Sequence, residues 1–232
     1  MSFYGRSNRI LVEQTLQKGS IKDCQIAECD LSGMQIINVQ WDHTDIRDLH
    51  ANDISVRNSK LENSNFYRSS LMRAIFYDSA LNAMVFDGLT LIKSQWEKSR
   101  VTNSTLKNLC LQRAAFSGSR FVSTSLLDFE ALNARIENCI FAHCMVGINY
   151  GSGMNGFSSG EIKNCIFYHC LFEGYPLRGA KLEGSVFAWC SGQIGDDMES
   201  SNVAGLGLRG NSRNKTLGSL AEARRLTERY AS

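Results

Sequence analysis

LENSNFYRSSLMRAIFYDSAL, residues 61 to 81, carries a large apolar residue at every fifth position: Leu61, Phe66, Leu71, Phe76 and Leu81. Outward from this stretch the period holds without a break from Ile21 to Val146, 26 consecutive centres. In a chain with 43% hydrophobic residues such a run arises by chance at roughly 3 in 10^10, so the period belongs to the fold. Two places after each centre the pattern inverts, and between Asp23 and Ile148 only Ala83 and Ile148 are apolar there. No helix repeats every five residues.

Two residues before a centre the side chain is usually small or apolar, as at Cys24, Cys29, Ser59, Ser64, Ser79, Ser99 and Ala114. Alternate residues therefore point inward over three positions, and two polar residues then turn the chain. The chain holds one proline, so its turns use another device. This pattern resembles the pentapeptide-repeat family, whose consensus is Ala-(Asp/Asn)-Leu-x-x. The best matches are Cys29-Asp30-Leu31-Ser32-Gly33, Ser64-Asn65-Phe66-Tyr67-Arg68 and Ala180-Lys181-Leu182-Glu183-Gly184. The resemblance covers residues 21 to about 190. It implies an all-β fold, a right-handed quadrilateral parallel β-helix with four pentapeptides per coil. About eight such coils, at roughly 4.8 Å each, make a rod near 40 Å long.

The sequence supports this coil size on its own. Where a centre shrinks to Ala51 or Ala131, the residue two before it grows to Leu49 or Phe129, as a core filled at constant volume requires. After Val146 the phase shifts by one residue across Gly147 to Gly156 and resumes at Phe157. A single inserted residue would stack Phe157 and then Leu177 on Ile136. Residues 1–20 are expected to cap one end, 21–190 to form the solenoid with a loop near 147–156, and 191–232 to hold a linker and a short helix. Ser219 and Glu222 form a capping box for that helix. Leu220, Ala223, Leu226 and Tyr230 then lie along one side, as a capping element or a homodimer contact.

Charge narrows the partners. The net charge is +2, and residues 21–190 hold 17 acidic and 16 basic side chains, which announces neither a polyanionic DNA mimic nor a direct nucleic-acid binder. The apolar runs are too short for a membrane span, and Ile10-Leu11-Val12 is too short for a signal-peptide core. A cytoplasmic location is expected, with the eight cysteines as free thiols.

CIFAHC at 139–144 and CIFYHC at 165–170 look like twinned metal ligands. On the five-residue frame, Cys139, Cys144, Cys165 and Cys170 fall two before a centre and face inward. His143 and His169 fall two after a centre and face solvent. Cys144 is expected to stack on Cys165, and Cys170 on Cys190. Stacked thiol pairs lack the four ligands of structural zinc, so no metal or cofactor is assigned. No G-x-x-x-x-G-K-[ST], H-E-x-x-H or G-x-S-x-G occurs, and Gly151 to Gly156 does not open a helix, so no catalytic residue is assigned either.

Positions twenty apart should stand in outward columns. Arg73, Lys93 and Arg113 form one, beside Met72, Ile92 and, further on, Leu132. Stacked cations repel, so a basic strip beside an apolar one fits a protein partner with an acidic patch. The leading expectation is a non-enzymatic binding or scaffold protein. The family resemblance offers two alternatives. Some members protect DNA gyrase and dimerise through a C-terminal helix, a reading against which the near-neutral solenoid counts. Others are bacterial effectors delivered into a host cell by a specialised secretion system.

Overall fold

In a three-residue strand the middle side chain points one way and its neighbours the other, so one apolar centre per pentapeptide suffices to build an inner wall. In Asn65-Phe66-Tyr67, Phe66 is buried and both neighbours are half-buried. The computed structural model describes residues 2–4, 15–149, 151–194 and 204–206, with 2–4 and 204–206 described by backbone alone. Within them the chain is a parallel β-solenoid of about nine coils.

Corners are made by the second residue after a centre, which takes the left-handed region throughout the described coils except at Ile148, where the insertion begins. The angle φ is +55° at Asn38, +48° at Asn58, +56° at Arg73 and +54° at His143. No Val, Ile or Thr occupies such a corner among the described residues, as expected where branching at Cβ clashes most. Each corner amide donates to the next coil, for example Asn38 N–H to Arg57 O at 3.0 Å and Arg68 N–H to Asp87 O at 2.9 Å. This is the turning device that replaces proline.

Successive coils stack in register. Phe66 lies between Ile46 and Phe86, Phe76 between Val56 and Trp96, and Leu81 between Leu61 and Val101. The strands form three sheets of ten, nine and ten members. The first sheet carries centres from Ile26 to Phe172, the second from Leu16 to Leu182, and the third from Ile21 to Phe187. The fourth side, between the first and second sheets, is no sheet but a row of single bridges through Asp30, His50, Ser70, Thr90 and Cys110, each followed by a tight turn. There the amide three residues after the centre bonds back to the centre's own carbonyl, as Ala74 N–H to Leu71 O at 3.2 Å, which removes it from the ladder.

The interior is made of columns. Phe121, Phe141, Phe167 and Phe187 stack ring on ring at 4.9, 4.9 and 4.6 Å between centroids, with planes within 10° of parallel. Beside them runs a column of buried serines, Ser59, Ser79, Ser99 and Ser119. The Ser119 hydroxyl accepts the Ser99 amide at 3.2 Å and donates to Trp96 O at 3.0 Å, so a small polar residue is fully satisfied inside an apolar tube.

Two sequence expectations need correction. The insertion adds six residues rather than one, so Ile136 pairs with Ile162, Glu130 bridges to Gly156, and Phe157 follows Ala131. A shift of one and a shift of six have the same phase on a five-residue period, and the sequence cannot separate them. The cysteine columns move accordingly. Cys139 meets Cys165, and Cys144 meets Cys170 rather than Cys165. Cys190 follows Cys170, as expected. Strand pairing also reaches past the expected solenoid limits, with Ser2–Tyr4 on Gln25–Ala27 and Ala204–Leu206 on Val186–Ala188. Leu220, Ala223, Leu226 and Tyr230 lie outside the described residues.

Candidate functional site

The corner position throws its side chain outward, which makes each corner column a ladder of exposed groups. Arg73, Lys93 and Arg113 occupy corners of the bridge side with φ of +56°, +59° and +57°. Their amides donate to Ile92 O, Gln112 O and Leu132 O at 2.8 to 2.9 Å, so the three stand in register on consecutive coils. All three are exposed. Beneath the column stands Asp53, whose carboxylate accepts from Arg73 Nε at 2.6 Å and from Nη2 at 2.5 Å. The Arg73 hydrogen bonds, with its charge, hold the Asp53 carboxyl below the usual carboxylate range.

The three-cation strip therefore has one neutralised member. Lys93 and Arg113 have no ion-pair partner among the described residues. Elsewhere cations sit over acids one coil away, as Arg68 on Asp48 at 2.9 Å, Lys107 on Asp87 at 3.1 Å and Lys163 on Glu183 at 3.5 Å. Arg100 and Arg120 stack as a like-charged pair, but no other column of the described residues puts three like charges on consecutive coils. Next to the strip, Met72 and Ile92 are adjacent and half-buried, while Gln112 separates them from Leu132. Asn52 closes the lower end, its Oδ1 accepting from Met72 N–H at 3.0 Å and the Ser70 hydroxyl at 2.8 Å.

The twinned motifs divide between inside and outside. Contact with Cys170, then burial, pushes the Cys144 thiol up, and contact with Cys139, then burial, does the same for Cys165. These thiols are disfavoured as thiolates, the form that binds metal. The imidazoles face solvent and stack instead. His143 lies on His169 and His169 on Trp189, with centroids 5.3 and 5.6 Å apart and planes 6° and 12° from parallel. Tyr168 sets its edge against all three rings. Among the described residues no cluster of three or more possible metal ligands assembles.

Sequence reasoning missed a surface here. Register adds a third copy, SVFAWC at 185–190, to the two quoted motifs. In all three, the residues flanking the buried Phe are apolar as well, half-buried at Ile140, Ile166, Tyr168 and Val186 and buried at Ala142 and Ala188. Ile140, Ile166 and Val186 form one outer column of the third sheet, and Ala142, Tyr168 and Ala188 another. Earlier in the same sheet these columns hold Lys60, Arg100 and Arg120, or Asp42, Glu62 and Asn82. The first column thus changes from Arg100 and Arg120 to Ile140, while the second has already become uncharged at Asn82, Thr102 and Val122. Trp189 at 44% and neighbouring Leu171 at 39% are the exposed large hydrophobic residues of the described chain. The signal was legible as alternation lost, with apolar residues on both faces of three strands.

The six-residue insertion lifts the chain off the wall and leaves a cleft of about 520 Å³ lined by Asn149, Met154, Ser158, Tyr175 and Arg178 among others. Asn149 anchors it, donating from its backbone N–H and Nδ2 to the Asp128 carboxylate, both at 2.7 Å. Backbone packs closely around the insertion at Gly156, at φ +57°, and at Gly174, at φ +71°, where a Cβ would strike a carbonyl oxygen, of Pro176 or of Ile148. Among the described residues the lining contains no His, Cys, Asp or Glu, and its polar groups come from Asn149, Asn155, Ser158, Tyr175 and Arg178.

No protein-family model and no curated protein matches the chain. Its structure is similar to HetL, a pentapeptide repeat protein involved in heterocyst differentiation regulation from the cyanobacterium Nostoc sp. Strain PCC 7120, at 13% identity over 83% of this chain and 85% of that one, with a TM-score of 0.45. It is also similar to full-length QnrB1, a plasmid-mediated fluoroquinolone resistance protein, at 13% identity over 90% and 98% of the two chains, with a TM-score of 0.43. The catalytic domain of a GH87 alpha-1,3-glucanase follows at 8% identity over 84% and 50%, with a TM-score of 0.31. At these values function has to be argued from this chain's own residues.

Proposed function

We propose that this pentapeptide-repeat solenoid is a non-enzymatic protein-binding module that grips an acidic patch on a protein partner with its bridge side. Lys93 and Arg113 supply the charge, and Met72, Ile92 and Leu132 supply apolar contact. Arg73 marks the edge, already engaged by Asp53. The observation that carries this reading is the stacking of Lys93 and Arg113 above Arg73 with no acid of their own among the described residues, where Arg68, Lys107 and Lys163 each sit over an acid one coil away. Unit charges roughly 5 Å apart in water repel by about 1 kcal/mol, which a partner's carboxylates would turn into attraction. A regular, nearly flat wall suits a macromolecule better than a small substrate.

The test is reversal of charge. The full chain is cross-linked to its partner in its native cell, the partner is identified, and its affinity is compared for the wild type and Lys93→Glu/Arg113→Glu. The reading expects at least tenfold weaker binding, steeper loss of wild-type binding with added salt, and an unchanged melting temperature. Equal affinity for both proteins would remove the bridge side from the interface.

A further inference from the structure

Given a bridge side that grips an acidic protein, on which this inference rests, we propose that the partner lays an extended acidic segment along that side from Lys93 to Arg178 and seats one of its carboxylates in the cleft at the insertion. The cleft and the basic column belong to one face. Arg113 N–H bonds to Leu132 O and Asn133 N–H to Ser158 O, then Phe157 N–H to Pro176 O and Ser159 N–H to Gly179 O, so the outward column Ile92, Gln112, Leu132 continues through Ser158 to Arg178. The corner column Lys93, Arg113, Asn133 continues likewise through Ser159 to Gly179, with φ of +56° and +69° at the last two. Ser158, Arg178 and Gly179, at the ends of these columns, line the cleft.

The solenoid itself has no use for the cleft. Between Thr15 and Ile194 the coils repeat every twenty residues except at the insertion, where strand partners stand 26 apart. The extra residues are held by bonds. Asn149 is anchored on Asp128, Ser152 donates to Asn149 O from its N–H at 3.0 Å and from its hydroxyl at 2.8 Å, and Ser158 N–H bonds to Asn155 O at 3.3 Å. A wall already ordered loses little freedom when a ligand enters, and about 520 Å³ has room for a side chain with its flanking backbone.

The chemistry of the lining selects a carboxylate. Donors come from the Arg178 guanidinium, the Ser158 and Tyr175 hydroxyls and the Asn155 carboxamide, while Ile148 and Met154 supply apolar surface for the aliphatic stem of a glutamate. With no carboxylate in the lining among the described residues, an anion there meets attraction rather than repulsion. On the coils between Arg113 and the cleft, the described bridge side carries one acid, Glu130, which enters the face at the margin opposite the corner column. An acidic chain is thereby steered along Lys93, Arg113 and Asn133. Lys93 and Arg178 lie four coils apart, roughly 19 Å, which about six extended residues span.

Two measurements on the full chain decide it. The probe is a fluorescein-labelled hexapeptide of alternating glutamate and serine, blocked at both ends, with binding followed by anisotropy. Arg178→Gln, at an exposed side chain, and Lys93→Glu/Arg113→Glu should each weaken binding by about tenfold, the cost of losing a charged hydrogen-bond partner, with melting temperatures unchanged. In the second measurement a benzophenone is placed at one end of the hexapeptide or at the other, and one of the two probes should cross-link to the stretch that holds Met154. Wild-type affinity in Arg178→Gln, no binding of the hexapeptide, or cross-links that avoid the insertion would overturn the segment in the cleft. The bridge-side contact is judged separately, by the affinity of the cell-derived partner for Lys93→Glu/Arg113→Glu. Free glutarate carries the same chemistry from another source, and if it binds as tightly as the hexapeptide and equally well to the strip variant, the occupant is a lone dicarboxylate and the segment is overturned.

Discussion

His143 lies flat against His169, centroids 5.3 Å apart and planes 6° from parallel, although 26 residues separate them where other coils need twenty. The pair marks the six extra residues of the insertion, and it continues onto Trp189 as a three-ring ladder on the solvent side.

Removing the middle ring should disconnect that ladder. In His169→Ala, Trp189 loses its stacking partner, and its fluorescence and near-ultraviolet circular dichroism should change. The fold should lose no more than about 3 kcal/mol, the scale of the two stacked pairs that His169 makes with His143 and Trp189. Spectra identical to wild type would show that the rings do not stack in solution.

Arg73 holds the folded-state pKa of Asp53 below its ordinary value, so the pair stabilises the fold above the unfolded carboxylate range and loses that contribution as pH falls through the lower folded value. The stability difference between wild type and Asp53→Asn should be small at pH 7, because both side chains are about half exposed, and should vanish in strong acid. The same substitution frees Arg73, so affinity for an acidic partner should rise. Weaker binding by Asp53→Asn would place the pair, rather than the free cations, at the contact.

The serine column predicts an unusual tolerance. Ser99 is 1% exposed, accepts the Ser79 amide and donates to Phe76 O at 3.0 Å. Ser99→Ala removes the acceptor of that amide and should cost about 1–3 kcal/mol in chemical denaturation. Ser119→Cys should cost less than about 1 kcal/mol, because Cys139 and Cys165 continue the same column, the Cys165 thiol donating to Ile136 O at 3.5 Å. A ranking in which cysteine is worse than alanine would contradict the column.

Thiol accessibility should sort the cysteines without mutation. Cys29 and Cys110 are half-buried and the other six are buried. A colorimetric disulfide reagent should titrate two thiols promptly in the native protein and eight after unfolding. Prompt reaction of the Cys144 or Cys170 thiol would place it outside the tube.

Trp41 carries the one buried side-chain polar atom without a partner among the described residues, its Nε1, whereas Trp96 donates to the Ser94 hydroxyl at 3.1 Å. Trp41→Phe removes an unsatisfied donor along with some packing and should be close to neutral. Trp96→Phe loses a made bond and should be the more destabilising, by about 1 kcal/mol. The reverse order would mean that the Trp41 donor is satisfied.

Inside and outside were readable in the sequence from Leu61, Phe66 and Leu71 onward, because an inward centre every fifth residue leaves no other arrangement. The placement of Cys139 inward and His143 outward followed from the same frame and holds in the structure. Phase alone could not count the insertion, since Gly147 to Gly156 shifts it equally for one residue or six. Nor could phase show that the bridge side is not a sheet, because Ala51, Leu71 and Leu91 repeat there as centres do elsewhere, while the difference lies in which amides bond back within the coil. The basic strip was legible as Arg73, Lys93 and Arg113, but the Asp53 carboxylate that neutralises Arg73 required the geometry of both side chains. The outer columns of Ile140, Ile166 and Val186 were not legible as a surface, because these residues sit beside centres and the five-residue frame sorts only the centres, the positions two before them and the corners.

Every functional statement rests on side chains one coil apart standing in columns, and disulfide trapping measures that directly. In a Cys29→Ser/Cys110→Ser background, Glu137 pairs in register with Lys163, whereas a coil lengthened by one residue would set it beside Ser158. Parallel neighbours lie within the reach of a disulfide. Mild oxidation should close Glu137→Cys with Lys163→Cys and leave Glu137→Cys with Ser158→Cys open. Closure of the second pair in preference to the first would contradict the register, and with it the columns on which the proposed contacts are built.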